Sequence, residues 1–226
     1  MNKKVPFILM ATATMLLTAC DTKISQDKFV AQLEATKANI TLDSEALDNV
    51  HIYNKLSVHN INYKEGEFAS EVNGLILTRT QKYTWIDENG RYYHYEKSLI
   101  TSIDKEITKA EFDIYMATAR GEICAKLNEG VANCENMLKE QADDSVYYNV
   151  KNSFAQTING EYKMNSTMNY KTTEDGQEVE ATRKTTFIFK KNLPVKYTIN
   201  DNGENYYKYT YGNAEFKKPE NSVANS

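Results

Sequence analysis

Polar and apolar positions alternate with two different periods along the chain. Ser25 to Lys37 places Phe29, Val30 and Leu33 on one helical face, behind a serine able to accept a free backbone N–H. From about Val50 to Ile103 the period shortens to two. Val50-His51-Ile52-Tyr53 and Ser57 to Tyr63 read as strands, broken from the next run by Lys64-Glu65-Gly66-Glu67. Lys82 to Tyr95 reads as a hairpin around Asp87-Glu88-Asn89-Gly90, because Asn-Gly supplies the positive φ angles of a tight turn.

Helical spacing returns at 108–141. Thr108-Lys109-Ala110-Glu111 is a capping box, and Phe112, Tyr115, Met116, Ala119 and Ile123 follow at spacings of three and four. Asn128-Glu129-Gly130 is expected to interrupt this helix, with a shorter one from Asn133 through Leu138. Strand period resumes from Val146 to Phe216. Tyr162, Met164, Ser166, Met168 and Tyr170 share one face, and Thr185, Phe187 and Phe189 another. Turns are expected at Glu174-Asp175-Gly176, Asn192-Leu193-Pro194 and Asp201-Asn202-Gly203, before a last strand carrying Tyr207, Tyr209 and Tyr211.

The expected fold class is therefore α+β: an antiparallel β-meander sheet, able to curve into a half-barrel, packed on a few helices. Residues 25–218 form a single α+β domain in this reading, and 219–226 a disordered tail. Lys82–Tyr95 and Lys196–Tyr209 match at seven of fourteen positions without a gap. The match fits either two similar halves, 25–105 and 108–218, or the shared chemistry of Tyr-rich hairpins.

The first twenty residues follow other rules. Lys3 and Lys4 precede Val5–Leu17, which carries no charge and is too short to span a bilayer. The run ends in Leu17-Thr18-Ala19-Cys20. This tetrapeptide resembles the lipobox of bacterial lipoproteins. The resemblance implies a signal peptide over 1–19, cleavage before Cys20, a diacylglyceryl group on its sulfur and a lipidated tether over 20–24. Two acyl chains suffice for stable anchoring. The expected location is the outer face of the cell membrane, or the periplasmic face of a membrane in a cell with two.

Composition narrows the possibilities. The net charge of −4 becomes −6 once Lys3 and Lys4 are removed, and acids and bases are interspersed, which disfavours nucleic acid as a partner. Sixteen tyrosines against nine glycines and three prolines favour ordered strands. With Cys20 acylated, Cys124 and Cys134 remain. In an exported protein they are a disulfide candidate, the alternative being two reduced thiols. His51, His59 and His94 stand alone on expected strands. No nucleophile elbow, phosphate loop, metal-ligand spacing or paired-carboxylate motif is readable, so the expectation is no enzyme, no metal and no cofactor.

The order of helix, strands, helix and long meander resembles the lipoprotein-carrier (LolA-like) fold. That resemblance implies a lipid or small hydrophobic ligand in a cleft between sheet and helices, lined by Tyr162, Met164, Met168, Tyr170, Phe187 and Phe189. Met and aromatic side chains suit a pliable apolar pocket. The alternative is a surface structural or protein-binding module without a cavity, acting through a Tyr-rich sheet face, with its protein partners unknown.

Overall fold

Strand β1 (Thr22–Lys23) leads into α1 (Gln26–Asn39), and a single 3₁₀ turn (Glu45–Leu47) precedes the first meander. That meander comprises β2 (Asn49–Asn54), β3 (His59–Lys64), β4 (Glu67–Val72), β5 (Thr80–Ile86), β6 (Tyr92–Lys97) and β7 (Ser102–Ile107). Helix α2 (Lys109–Lys139) follows. The second meander is β8 (Tyr147–Gln156), β9 (Glu161–Glu174), β10 (Gln177–Lys190), β11 (Leu193–Ile199) and β12 (Asn205–Tyr211). The computed structural model describes residues 21–73, 79–139, 147–199, 205–220 and 222–223. The lipobox Leu17–Cys20, the segment before it and the turn Asp201-Asn202-Gly203 lie outside the described residues.

The strands form one antiparallel sheet in the order β1-β8-β9-β10-β11-β12-β2-β3-β4-β5-β6-β7. It is curved but not closed into a barrel, so the α+β meander architecture read from the pattern is the one present. The two meanders join where β12 pairs with β2, Tyr209 opposite Ile52. Both helices lie against one face. Phe29 and Leu33 of α1 and Phe112, Ala119, Ile123 and Leu127 of α2 pack there with Val50, Ile52, Ile61, Phe68, Met164 and Phe187. The other face carries a smaller cluster of Ala69, Tyr83, Trp85 and Tyr93. Phe68 and Ala69 thus point to opposite sides, as the pleat requires.

Local chemistry at the helix starts is as the sequence indicates. Ser25 Oγ accepts the Lys28 N–H at 3.3 Å. Thr108 Oγ1 accepts the Glu111 N–H at 3.2 Å while Glu111 Oε2 accepts the Thr108 N–H at 2.8 Å, the reciprocal pair of a capping box.

Three expectations need correction. Asn128-Glu129-Gly130 does not interrupt the second helix, because α2 runs unbroken through it. Glycine costs a helix interior only about 1 kcal/mol, which packing of the stripe on both sides outweighs. Cys124 and Cys134 consequently sit on one rigid helix, about 15 Å apart along its axis at 1.5 Å per residue. A disulfide needs Cα atoms within about 7 Å, and both thiols are free. Finally, the tail does not fray where it is described: Pro219 and Ser222 are buried.

The hairpin echo also changes meaning. Both segments are hairpins, β5–β6 and β11–β12. Tyr83 pairs with Tyr95, but its match Tyr197 pairs with Tyr207, two residues short of the matched register. Tyr83 and Tyr93 face away from the helices, whereas Tyr197 and Tyr207 face them. The matched tyrosines are not spatially equivalent.

Candidate functional site

The six residues expected to line an apolar cleft do share the helix-facing side of the sheet. Phe187 pairs with Met164 and Phe189 with Tyr162 across β9 and β10. They do not enclose open space. Met164 and Met168 are 0% exposed, and Phe187 and Phe189 1%. Phe189 meets the Phe29 ring of α1 at 5.9 Å, Phe187 stacks on Tyr197 at 4.6 Å, and Met164 Sδ lies 3.9 Å from Cys134 Sγ. Helix α1 fills the position a ligand would occupy. Tyr162 and Tyr170 are half-buried at the margins, and the Arg183 guanidinium sits over the Tyr170 ring at 5.4 Å. Burial pushes the Cys134 thiol pKa well above its ordinary value.

One polar row crosses this apolar side. Asn152 pairs with Ser166, and Ser166 with Thr185. Their side-chain oxygens, and the Asn152 amide nitrogen, are buried without a hydrogen-bond partner.

Two clefts lie on the other face. After β12 the chain crosses the outside of the first meander as a strap. It is fixed at one end where Gly212 N–H donates to the Asn49 carbonyl (2.9 Å) and Ala214 N–H to Asn49 Oδ1 (2.7 Å). At the other end Asp104 of β7 accepts Ser222 Oγ–H and Val223 N–H, each at 2.9 Å. Between them Phe216 rests on Tyr83 and Trp85, both at 6.2 Å between ring centres. Trp85 in turn stacks on Tyr93 at 5.5 Å.

Strap and sheet enclose two clefts, of about 600 and 450 Å³, that share Glu71, Tyr83 and Lys217 and so form one groove. His51, Asn60, Asn62 and Asn213 line one end, and Arg79, Tyr95, Lys97 and Lys218 the other. Tyr83 donates its hydroxyl proton to Glu71 Oε1. Burial first, and then this bond and the Glu71 charge, raise the Tyr83 pKa far above the ordinary tyrosine range. Tyr95 is raised by burial and by Asp104. The glutamate is thus engaged with a neutral phenol. Arg79, Lys97, Lys217 and Lys218 make no ion pair among the described residues. Four cations stand here against Glu71 and Glu220, with Glu215 further along, so this end of the groove carries a basic excess on a chain of net negative charge. Such groups donate charge-assisted hydrogen bonds to carboxylate or phosphate oxygens.

The histidines divide. His94 is buried, stacked on Tyr115 of α2 at 3.8 Å, with its Nδ1 3.0 Å from Thr84 Oγ1. His59 Nε2 meets Ser70 Oγ at 2.9 Å. His51 lines the groove. Among the described residues no three His, Cys, Asp or Glu side chains group as metal ligands.

Sequence reading passed over the groove because its floor belongs to the outward phase of β4, β5 and β6. Glu71, Tyr83, Tyr95 and Lys97 look like ordinary solvated positions there. Only Lys217-Lys218 ahead of buried Pro219 hints at a strap. Comparison with known protein families, curated proteins and solved structures returns no match for this chain. No helix among the described residues is long and apolar enough to cross a membrane.

Proposed function

We propose that this chain is an extracytoplasmic lipoprotein, held to its membrane through acylated Cys20, whose folded body is a protein-recognition module. Its binding surface is the strap-covered groove, and the partner segment it suits is acidic. The observation that carries this reading is the contrast between the two faces of the sheet. The side expected to cradle a lipid is packed by α1 and α2, while the outer side holds accessible volume beside four cations that make no ion pair among the described residues. Tyr83 and Tyr95 add large contact area with polar tips, which suits recognition of a polar chain.

Two measurements test it. Replacing Cys20→Ser should release the protein from the membrane fraction; unchanged fractionation would remove the tether from the account. A hexaglutamate peptide added to the folded body should shift NMR signals of residues around Arg79 and Lys97, and Lys97→Glu with Lys217→Glu should abolish those shifts. Stoichiometric lipid in gently purified protein, with no peptide response, would favour the carrier reading instead.

A further inference from the structure

The sequence reading gives a tether over 20–24, four residues beyond the acylated cysteine, but the chain enters the sheet almost at once. Thr22 and Lys23 pair with Gln156 and Ala155 of β8. Ile24 N–H donates to the Phe154 carbonyl at 3.1 Å, and Ser25 already caps α1. Asp21 lies 3.9 Å from Lys163 Nζ of β9. A single residue therefore separates Cys20 from β1, and one peptide link spans about 3.8 Å between Cα atoms. A lipid carried on that cysteine cannot stand far from this end of the sheet.

The same end gathers features suited to a bilayer surface. Gln156 opens the β8–β9 turn, where Ile158 stands 78% exposed. The β10–β11 turn beside it carries exposed Lys191, and exposed Lys28 of α1 donates from Nζ to Gln156 Oε1 at 2.9 Å. Lys163 and Lys190 contact Asp21 and Glu161 at 3.9 and 3.7 Å. Counting Lys23 and Asp27, this end holds five lysines against three carboxylates, a basic excess on an acidic chain. An exposed isoleucine at the same end of the sheet as these lysines matches the amphipathic boundary between acyl chains and anionic headgroups.

We infer that the turns β8–β9 and β10–β11 form the membrane-facing end, with Ile158 inserted at the headgroup boundary and Lys23, Lys28 and Lys191 against anionic lipid. The inference rests on the acylation of Cys20. It sets β9 and β10 pointing away from the bilayer, with their connecting hairpin about 45 Å out at 3.3 Å per residue.

Acylated full-length protein, reconstituted in phosphatidylglycerol and phosphatidylcholine vesicles with brominated acyl chains, provides the test. Ile158→Trp is compared with Gln177→Trp in the distal hairpin, after subtraction of the wild-type emission from buried Trp85. The Ile158→Trp emission should lose most of its intensity to bromine, and the Gln177→Trp emission should not. Vesicle-bound protein with both tryptophans unquenched, or with the distal one quenched, overturns the orientation. Protein that fails to float with the vesicles overturns the anchoring itself, and the orientation with it.

Discussion

The Tyr209 hydroxyl of β12 closes directly on the backbone of α2 at Gly130, where an added Cβ would lie 2.8 Å from Tyr209 Oη. The glycine read from sequence as a helix break is instead the point where the long helix leaves room for a side chain of the seam strand. Tyr209 is 4% exposed and cannot swing aside. Gly130→Ala gains about 1 kcal/mol of helix propensity but incurs an overpacking cost of about 1–3 kcal/mol. The expected net effect is a loss of stability. Tyr209→Phe removes the clashing oxygen and leaves Cζ at 3.5 Å, an ordinary contact. The double variant should recover the loss, visible as non-additive urea midpoints across the four proteins.

Phe189 and Thr185 separate a packed interior from a ligand cleft. Phe189→Ala should cost about 3–5 kcal/mol, since the ring is core to both α1 and the sheet. A cleft-lining residue would cost far less. Thr185→Val should raise stability by about 1 kcal/mol, because its buried hydroxyl has no partner and its shape is retained. Thermal unfolding of the two variants reads both effects.

His94 makes stability depend on pH. Burial is the largest influence on it and lowers its pKa below the ordinary 6.5, with Lys105 and Lys82 acting in the same direction and Glu96 opposing. His59 is lowered as well, by burial and by Lys126. The unfolded chain therefore binds more protons than the folded one just below pH 6.5, so stability rises with pH there. It should be intact above 6.5 and fall as the pH drops from 6.5 toward the lowered folded values. Urea midpoints at pH 7.5, 6.5 and 5.5 should decline in that order, and His94→Gln should flatten the decline.

Asp104 latches the strap. Asp104→Ala removes the acceptor for Ser222 and for the Val223 N–H, and hydrogen bonds to a charged group contribute about 1.5–3 kcal/mol. The strap rather than the whole fold should respond. Amide exchange at Ala214–Phe216 should quicken, and acrylamide should reach Trp85, the single tryptophan, which is 0% exposed beneath Phe216. Unchanged Trp85 quenching would show that the strap stays seated without the latch.

Much of this fold is legible in the order of side chains. Ser25, the Thr108–Glu111 box and the alternation Tyr162–Tyr170 each act locally, through caps or the pleat, and each appears where the pattern places it. What escaped depends on contacts distant in sequence. Gly130 is explained by Tyr209, and the seating of Ser222 by Asp104 more than a hundred residues earlier. The groove escaped for the same reason, because Glu71, Tyr95 and Lys217 meet only after the strap has crossed three strands. The placement of β12 beside β2 has no local signature at all.

That seam has a consequence for how the molecule comes into being. A chain synthesised from its amino end delivers β2 early and its neighbour β12 almost last. Until Asn205–Tyr211 emerges, β2 and β11 each present an unsatisfied edge, the template on which polypeptides stick to one another. Pairing so remote in sequence is also slow. A chain cut short before β12 should therefore aggregate rather than persist as a smaller soluble domain.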